Sequence, residues 1–176
     1  MNEIIKKNAI KFGLISGIFA ITATLLMYLI DYHLFTNMWI GFSMLFIYIG
    51  IGVFQLINLR KDLGGYMSFK DGFTGYFLGA LIGILMSSLF TILLFNVIDT
   101  ETRDLVTQAL VEFQVENLQK YNVPTEKIKE VVTQMEETPQ FSTMGVVKSF
   151  GGSLIGSIIF GLILAAIFKR KPQELI

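Results

Sequence analysis

Residues 72–98 read GFTGYFLGALIGILMSSLFTILLFNVI and carry no charged side chain. A helix that crosses a bilayer needs about 20 predominantly apolar residues, and this segment is longer than that. Three other segments are equally free of charge, namely 12–30, 38–59 and 149–168. Because one charged residue at a helix centre costs roughly 2.5–3.5 kcal/mol on membrane insertion, these segments predict an all-α membrane protein with four transmembrane helices.

The composition also favours a membrane protein over a soluble domain. Hydrophobic residues make up 53% of the chain and charged residues only 16%, and the hydrophobic residues form continuous runs. The formal net charge is zero, so nothing indicates a nucleic-acid partner. Cysteine is absent, which excludes disulfide bonds and thiolate chemistry. The sequence predicts one integral membrane domain over residues 1–176.

Basic residues near the ends of the four segments predict the orientation, because Lys and Arg concentrate in cytoplasmic loops. They lie before the first segment, between the second and third, and after the fourth: Lys6, Lys7, Lys11, Arg60, Lys61, Lys70, Lys169, Arg170 and Lys171. The connection 31–37 has no Lys or Arg, and 99–145 is rich in Asp and Glu. We therefore expect both termini in the cytoplasm. The first run is long for a signal peptide and lacks a small-residue cleavage site, so we expect an uncleaved first helix.

Residues 99–145 predict an extracytoplasmic hairpin of two helices. Asp99, Glu101 and Asp104 place carboxylates in the first turn of one helix, where they complement the helix dipole. Pro124 then interrupts the helical pattern. The apolar face of the first helix is one of two alternative sets: Leu105, Ala109 and Phe113, or Val106, Leu110 and Phe113.

The second hairpin helix carries an apolar stripe at spacing i, i+3, i+4 and i+7, formed by Ile128, Val131, Val132 and Met135. This spacing places the four side chains on one helix face. So short an amphipathic helix needs that face covered by its twin helix, the membrane surface or another protein. The stripe is therefore a candidate binding surface for a membrane or periplasmic protein, and internal packing is the alternative.

The stretch GGYMSFKDGF at 64–73 resembles a phosphate-binding loop but lacks its G-x-x-x-x-G-K-[ST] order and a preceding strand. Helix capping explains it better, with a turn at Gly64-Gly65 and a Ser68–Asp71 capping box before the third transmembrane helix. Two roles remain for Ser68, Lys70 and Asp71. They either hold a lipid headgroup at the cytoplasmic face, or they serve only as a cap and a snorkelling anchor.

Small residues recur at spacing four on several predicted spans. On the third and fourth helices they form a helix-packing ridge: Gly75, Gly79, Gly83, Ser153, Ser157 and Gly161. The first helix has Ala9, Gly13 and Gly17 at the same spacing. Such ridges let membrane helices approach closely. They predict a tight bundle, and a homo-oligomer built on one of the ridges is the alternative.

The chain also resembles a known family. The block Ser68-Phe69-Lys70-Asp71-Gly72-Phe73, the Ile98-Asp99 end of the third helix, the acidic hairpin and the final basic cluster are similar to the domain of unknown function 4199 family of Bacteroidota. Here Thr100 follows Asp99, where the family often has proline. The resemblance implies a bacterial inner-membrane protein, and it brings no activity and no catalytic residues.

Three classes of function remain open. The single histidine, His33, has only Asp31 nearby, which falls short of a triad or zinc site, so we predict no enzyme, no cofactor and no metal. No ionisable residue lies mid-span to suggest a transporter. We expect a non-enzymatic accessory or scaffold subunit of an envelope complex. The alternatives are a small transporter or oligomeric channel, or a lipid-headgroup-binding protein; membrane lipids are expected partners in each case.

Overall fold

The computed structural model describes residues 2–170, and Lys171 of the predicted basic cluster lies outside them. Six α-helices follow one another: α1 (Glu3–Ile30), α2 (Met38–Asp62), α3 (Phe69–Leu93), α4 (Thr100–Lys120), α5 (Thr125–Glu137) and α6 (Thr143–Phe168). A 3-10 turn (Tyr32–Thr36) follows α1, and α3 continues as a π-helical turn (Leu94–Ile98).

Four of these helices are long and apolar enough to cross a membrane: α1, α2, α6, and α3 with its π turn. The predicted all-α class with four transmembrane helices is confirmed. α3 begins at Phe69, shortly before its uncharged segment, and two helices begin further ahead of theirs, α1 at Glu3 and α6 at Thr143. Asn2 and Ser142 cap these starts by accepting backbone N–H hydrogen bonds of the first turn. A helix thus continues into the polar interface, where an uncharged window no longer detects it.

α3 is the central helix and packs against α1, α2 and α6. Its approach to α1 is close because both helices present glycine. A Cβ atom added at Gly13 would lie 2.7 Å from Ile82 Cβ and 2.9 Å from the carbonyl oxygen of Gly79, and one at Gly83 would overlap Ser16 Oγ. Within lipid, where packing drives helix association, this contact fixes α1 against α3.

The connection between α2 and α3 turns at Gly64 and Gly65, as predicted. Their φ angles are +82° and +90°, in a region that glycine enters without steric cost. Met67 then pairs with Arg170 through two backbone hydrogen bonds of 3.0 and 2.9 Å. This pairing brings the residues after α6 to the start of α3.

One end of the bundle therefore gathers the start of α1, the α2–α3 connection and the end of α6. We call it the basic end, after the cations Lys6, Lys7, Lys11, Arg60, Lys61, Lys70, Lys169 and Arg170, all of which are exposed except the half-buried Arg60. Its core consists of Leu56, Leu59 and Met67, with Ile5 and Leu164 beside them. The first three are at most 1% exposed, so this end is closed by apolar packing.

The opposite end, which carries α4 and α5, is called here the acidic end. Phe95 is fully buried there, with its ring centroid 5.7 Å from that of Phe35 and 4.9 Å from that of Phe141. Leu94 and Val106 complete this core. Because Val106 belongs to α4, the core attaches the hairpin to the membrane-spanning helices.

The hairpin contains the two helices that the sequence predicts. α4 packs against the 3-10 turn, the π turn and α5. The structure selects the second of the two alternative faces, since Val106 is buried and Leu110 packs beside it, whereas Leu105 is 38% exposed. Asn122 turns the chain with a φ of +54°, and α5 starts just after Pro124.

Candidate functional site

A lateral cleft lies between α2 and α6. Tyr76 of α3 lies where the cleft begins, because its ring fills the space left by one glycine on each neighbouring helix. A Cβ atom at Gly52 would lie 2.6 Å from Tyr76 Cε2, and one at Gly161 would lie 2.8 Å from Tyr76 Cδ1. From this level toward the acidic end, α2 and α6 leave an open space over the face of α3.

The cleft has a volume of about 460 Å³. It extends from Gln55 and Tyr76 to Phe141 near the acidic end, and α1 contributes Phe12 and Ser16 to its wall. Its apolar lining includes Leu45, Ile51, Ala80, Ile84, Val146, Phe150 and Phe160. Since the lining comes from four transmembrane helices, the cleft lies within the membrane-spanning part of the fold.

Hydroxyl groups line the same cleft: Ser16, Ser87, Ser88, Thr91, Ser149, Ser153 and Ser157, with Tyr48 and Tyr76. Several donate to a carbonyl oxygen of their own helix, as membrane hydroxyls commonly do. Ser87 Oγ donates to Ile84 at 3.0 Å, Thr91 Oγ1 to Ser87 at 2.8 Å and Ser157 Oγ to Leu154 at 2.8 Å. Their oxygen lone pairs remain available, so a bound molecule can find hydrogen-bond acceptors along an otherwise apolar wall.

A buried polar pair lies at the inner end of the cleft. Gln55 is 3% exposed and its Nε2 donates to the carbonyl oxygen of Gly75 at 2.6 Å. Asn8 is 5% exposed, and its Nδ2 donates to the main-chain oxygen of Gln55 at 3.4 Å. Among the residues described, no donor reaches Asn8 Oδ1. The pair joins α1, α2 and α3 through polar contacts.

Sequence reasoning missed Asn8 because it lies among lysines, before the first uncharged segment. A signal was nevertheless present. Asn8 shares the i, i+3, i+4, i+7 spacing with Ile5, Ala9 and Phe12, all three of which are buried. A search of the helical face, instead of the uncharged window, places Asn8 inside the bundle.

The candidate headgroup residues lie at the basic end. Ser68 caps α3 as predicted: its Oγ accepts the Asp71 N–H hydrogen bond at 3.1 Å and donates to Asp71 Oδ2 at 2.6 Å. Lys70 is exposed beside them. The Ser68 hydroxyl proton is therefore already used within the cap, which leaves Lys70 as the group able to meet an anion. Whether these residues bind a headgroup stays a prediction.

The apolar stripe of α5 is only partly covered. Ile128 is buried, whereas Val131, Val132 and Met135 are half-buried. Val131 and Met135 line a shallow pocket between α5 and the start of α6. Much of the stripe thus faces other parts of the same chain, and its use as a surface for another protein stays a prediction.

The residues of the predicted helix-packing ridge differ in burial. Gly75, Gly79 and Gly83 are buried on α3, and Ser157 and Gly161 are buried on α6. Ser153 differs, because it is exposed and lines the cleft instead of packing against a helix. The reason is the divergence of α2 and α6, which leaves the outer half of α6 without a neighbour on that side.

Asp99 links α1 to α4 at the acidic end. It caps α4 by accepting the Thr102 N–H hydrogen bond at 2.9 Å, and it accepts the Tyr28 hydroxyl hydrogen bond at 2.8 Å. Hydrogen bonds from the Thr102 backbone and hydroxyl, and from Tyr28, lower the pKa of Asp99 from its ordinary 3.8. Asn96 nearby donates to the carbonyl oxygen of Phe141 at 2.9 Å. These bonds support structure and leave no free ligand set.

His33 and Asp31 form a pair on the exposed surface. His33 Nδ1 lies 2.8 Å from Asp31 Oδ1, and the His33 backbone N–H, followed by its ring, lowers the pKa of Asp31. Across residues 2–170, no group of three or more His, Cys, Asp or Glu side chains is arranged to hold a metal ion.

These features define a four-span α-helical membrane protein with a lateral cleft within its helical bundle. Over residues 11–170 the chain matches the family described as "Protein of unknown function (DUF4199)", and it belongs to that family. The resemblance deduced from the sequence is thereby confirmed. No curated protein and no solved structure matches the chain.

Proposed function

We propose that this is a non-enzymatic inner-membrane protein, an accessory or scaffold subunit of an envelope complex. Its proposed activity is to hold the apolar chain of a lipid. The lateral cleft carries the proposal. Its volume of about 460 Å³ lies within the range of roughly 300–1,000 Å³ typical of ligand pockets. Because the cleft is open between α2 and α6, it is accessible from the hydrocarbon layer.

The proposed orientation follows from the two ends of the bundle. The basic end holds eight of the described cations named above, and the positive-inside rule assigns such an end to the cytoplasm. Both termini would then be cytoplasmic, and α4 and α5 would lie in the periplasm. The outer end of the cleft would accordingly open toward the periplasmic leaflet.

The shape of the cleft favours binding over conduction by a single chain. Below Gln55, the side chains of Leu56, Leu59 and Met67 are packed and at most 1% exposed. The cleft therefore ends at Gln55 and Tyr76 and does not continue to the basic end. A channel would need several copies of the chain, which makes it the second candidate.

Two glycines of α6 provide a matched test. No atom lies within 4 Å of a Cβ added at Gly156 or at Gly151, so both positions accept a side chain without a clash. Gly156 lines the cleft and Gly151 does not. The Gly156→Leu variant should fill the cleft, and Gly151→Leu adds the same side chain elsewhere on the helix.

Native mass spectrometry of protein released gently from its own membranes is the measurement. We expect the wild type and Gly151→Leu to retain a lipid at constant stoichiometry, and Gly156→Leu to lose it. Equal retention by both variants, or none by the wild type, would contradict the proposal. The same spectra test the accessory role, because a stoichiometric second protein supports it and a lipid-loaded homo-oligomer directs attention to solute flux in liposomes.

A further inference from the structure

The lateral cleft meets a second pocket at the acidic end. This pocket lies between α5 and the start of α6 and has a volume of about 300 Å³. Gln140 and Ser149 line both spaces. The two spaces are therefore neighbours at the outer end of α6.

The chemistry of the second pocket differs from that of the cleft. Its lining contains Gln134, Thr138 and Lys148 beside the apolar Val131 and Met135, in addition to the two shared residues. Hydrogen-bond donors and a positive charge are thus gathered beyond the apolar cleft. This is the arrangement that an amphipathic molecule requires, with its chain in one space and a polar headgroup in the other.

The charge of Lys148 indicates the sign of that headgroup. Lys148 Nζ lies 3.4 Å from Thr138 Oγ1, a neutral partner. Within residues 2–170, no carboxylate approaches Lys148 closely enough to form an ion pair. A phosphate oxygen near this ammonium would gain a charge-assisted hydrogen bond without displacing an existing ion pair.

The depth of Lys148 also suits a headgroup. α6 has 26 residues, about 39 Å at 1.5 Å per residue, which exceeds a hydrocarbon core of about 30 Å. The first turns of α6 therefore project into the interface, and Lys148 lies in the second turn. Lipid phosphates occupy this level, where a nearby Lys contributes about 1 kcal/mol to binding an anionic membrane surface.

We propose that the cleft and the pocket form one site for a membrane lipid with an anionic phosphate headgroup, the chain in the cleft and the phosphate at Lys148. The chain half of this site rests on the proposed function. The headgroup half is at the acidic end, opposite to Ser68, Lys70 and Asp71. Helix periodicity could not indicate this half of the site, because Lys148 and Gln134 belong to different helices.

Two lipids with the same acyl chains test the site, phosphatidylglycerol as the anionic probe and phosphatidylcholine as the neutral one. Each is titrated into delipidated protein and counted by native mass spectrometry. Lys148→Gln removes the charge at the pocket. Lys127→Gln is the control, because Lys127 is an exposed lysine of α5 that lines neither space.

We expect the wild type and Lys127→Gln to prefer phosphatidylglycerol by about five- to tenfold, and Lys148→Gln to bind both lipids equally. Gly156→Leu should weaken the binding of both. If Lys148→Gln keeps the preference while Gly156→Leu still loses both lipids, the headgroup site is wrong and the proposed function stands. If Gly156→Leu binds both normally, the single continuous site and the proposed function are both overturned.

Discussion

The side-chain amide of Gln55 donates a 2.6 Å hydrogen bond to the main-chain oxygen of Gly75, which ties α2 to α3 inside the bundle. Gly79 makes the approach possible, since a Cβ there would lie 2.6 Å from the same nitrogen. A polar bond between helices at this depth is worth about 0.6–1.7 kcal/mol in membrane proteins. The cleft ends at this bond, which therefore holds α2 against α3 at the inner end of the cleft.

Replacing Gln55 by methionine, which has a similar length, should destabilise the protein by about 0.6–1.7 kcal/mol through loss of this bond. Asn58→Met is the matched control, because the Asn58 amide bonds to Phe54 of its own helix and the side chain is only half-buried. Unfolding of both variants in mixed micelles by increasing SDS measures the difference. Equal stability of the two variants would show that the Gln55 bond contributes nothing.

Gly13→Ala should force α1 away from α3, because the new methyl group would meet Ile82 and the backbone of Gly79 at under 3 Å. Overpacking of this kind costs about 1–3 kcal/mol. Gly50→Ala is the control, since no atom lies within 4 Å of its added Cβ and alanine favours a helix by up to about 1 kcal/mol. The midpoint of thermal unfolding should fall for the first variant and stay or rise for the second.

Asp99 gives a pH dependence whose sign follows from its lowered pKa. The carboxylate form is the one that is hydrogen-bonded in the folded state, so its contribution to stability is complete above its ordinary pKa of 3.8 and is lost as the pH falls through the lowered value. Asp99→Asn should be less stable than the wild type at pH 7, and the gap should narrow below pH 3.8. A gap that is constant down to acid unfolding would contradict this account.

The orientation can be tested by cysteine labelling, because the chain has no cysteine of its own. Tyr121 at the α4–α5 turn is 81% exposed, and Tyr66 in the α2–α3 connection is 45% exposed. In spheroplasts, a membrane-impermeant maleimide should label Tyr121→Cys directly and Tyr66→Cys only after lysis. The reverse pattern would place the basic end outside the cell.

The four spans, the Gly64-Gly65 turn and the Ser68 cap could be predicted from the sequence. Each depends on a local property: the run of uncharged residues, the φ angle that glycine allows, or a side chain bonded three positions away. The exposure of Ser153 in the cleft could not be predicted in this way. A small residue permits close packing, but its presence does not show whether a second helix lies opposite it.

The sequence by itself determined the class of the protein, its four membrane-spanning helices and the separation of basic from acidic ends, because hydrophobicity and charge act on each segment separately. Only the tertiary structure decided where α2 and α6 part and that Lys148 and Gln134 line the same pocket. These depend on distances among several helices at once. The cleft begins where the ring of Tyr76 lies between Gly52 and Gly161. These three residues belong to three different helices, so the pattern of one segment cannot reveal their contact.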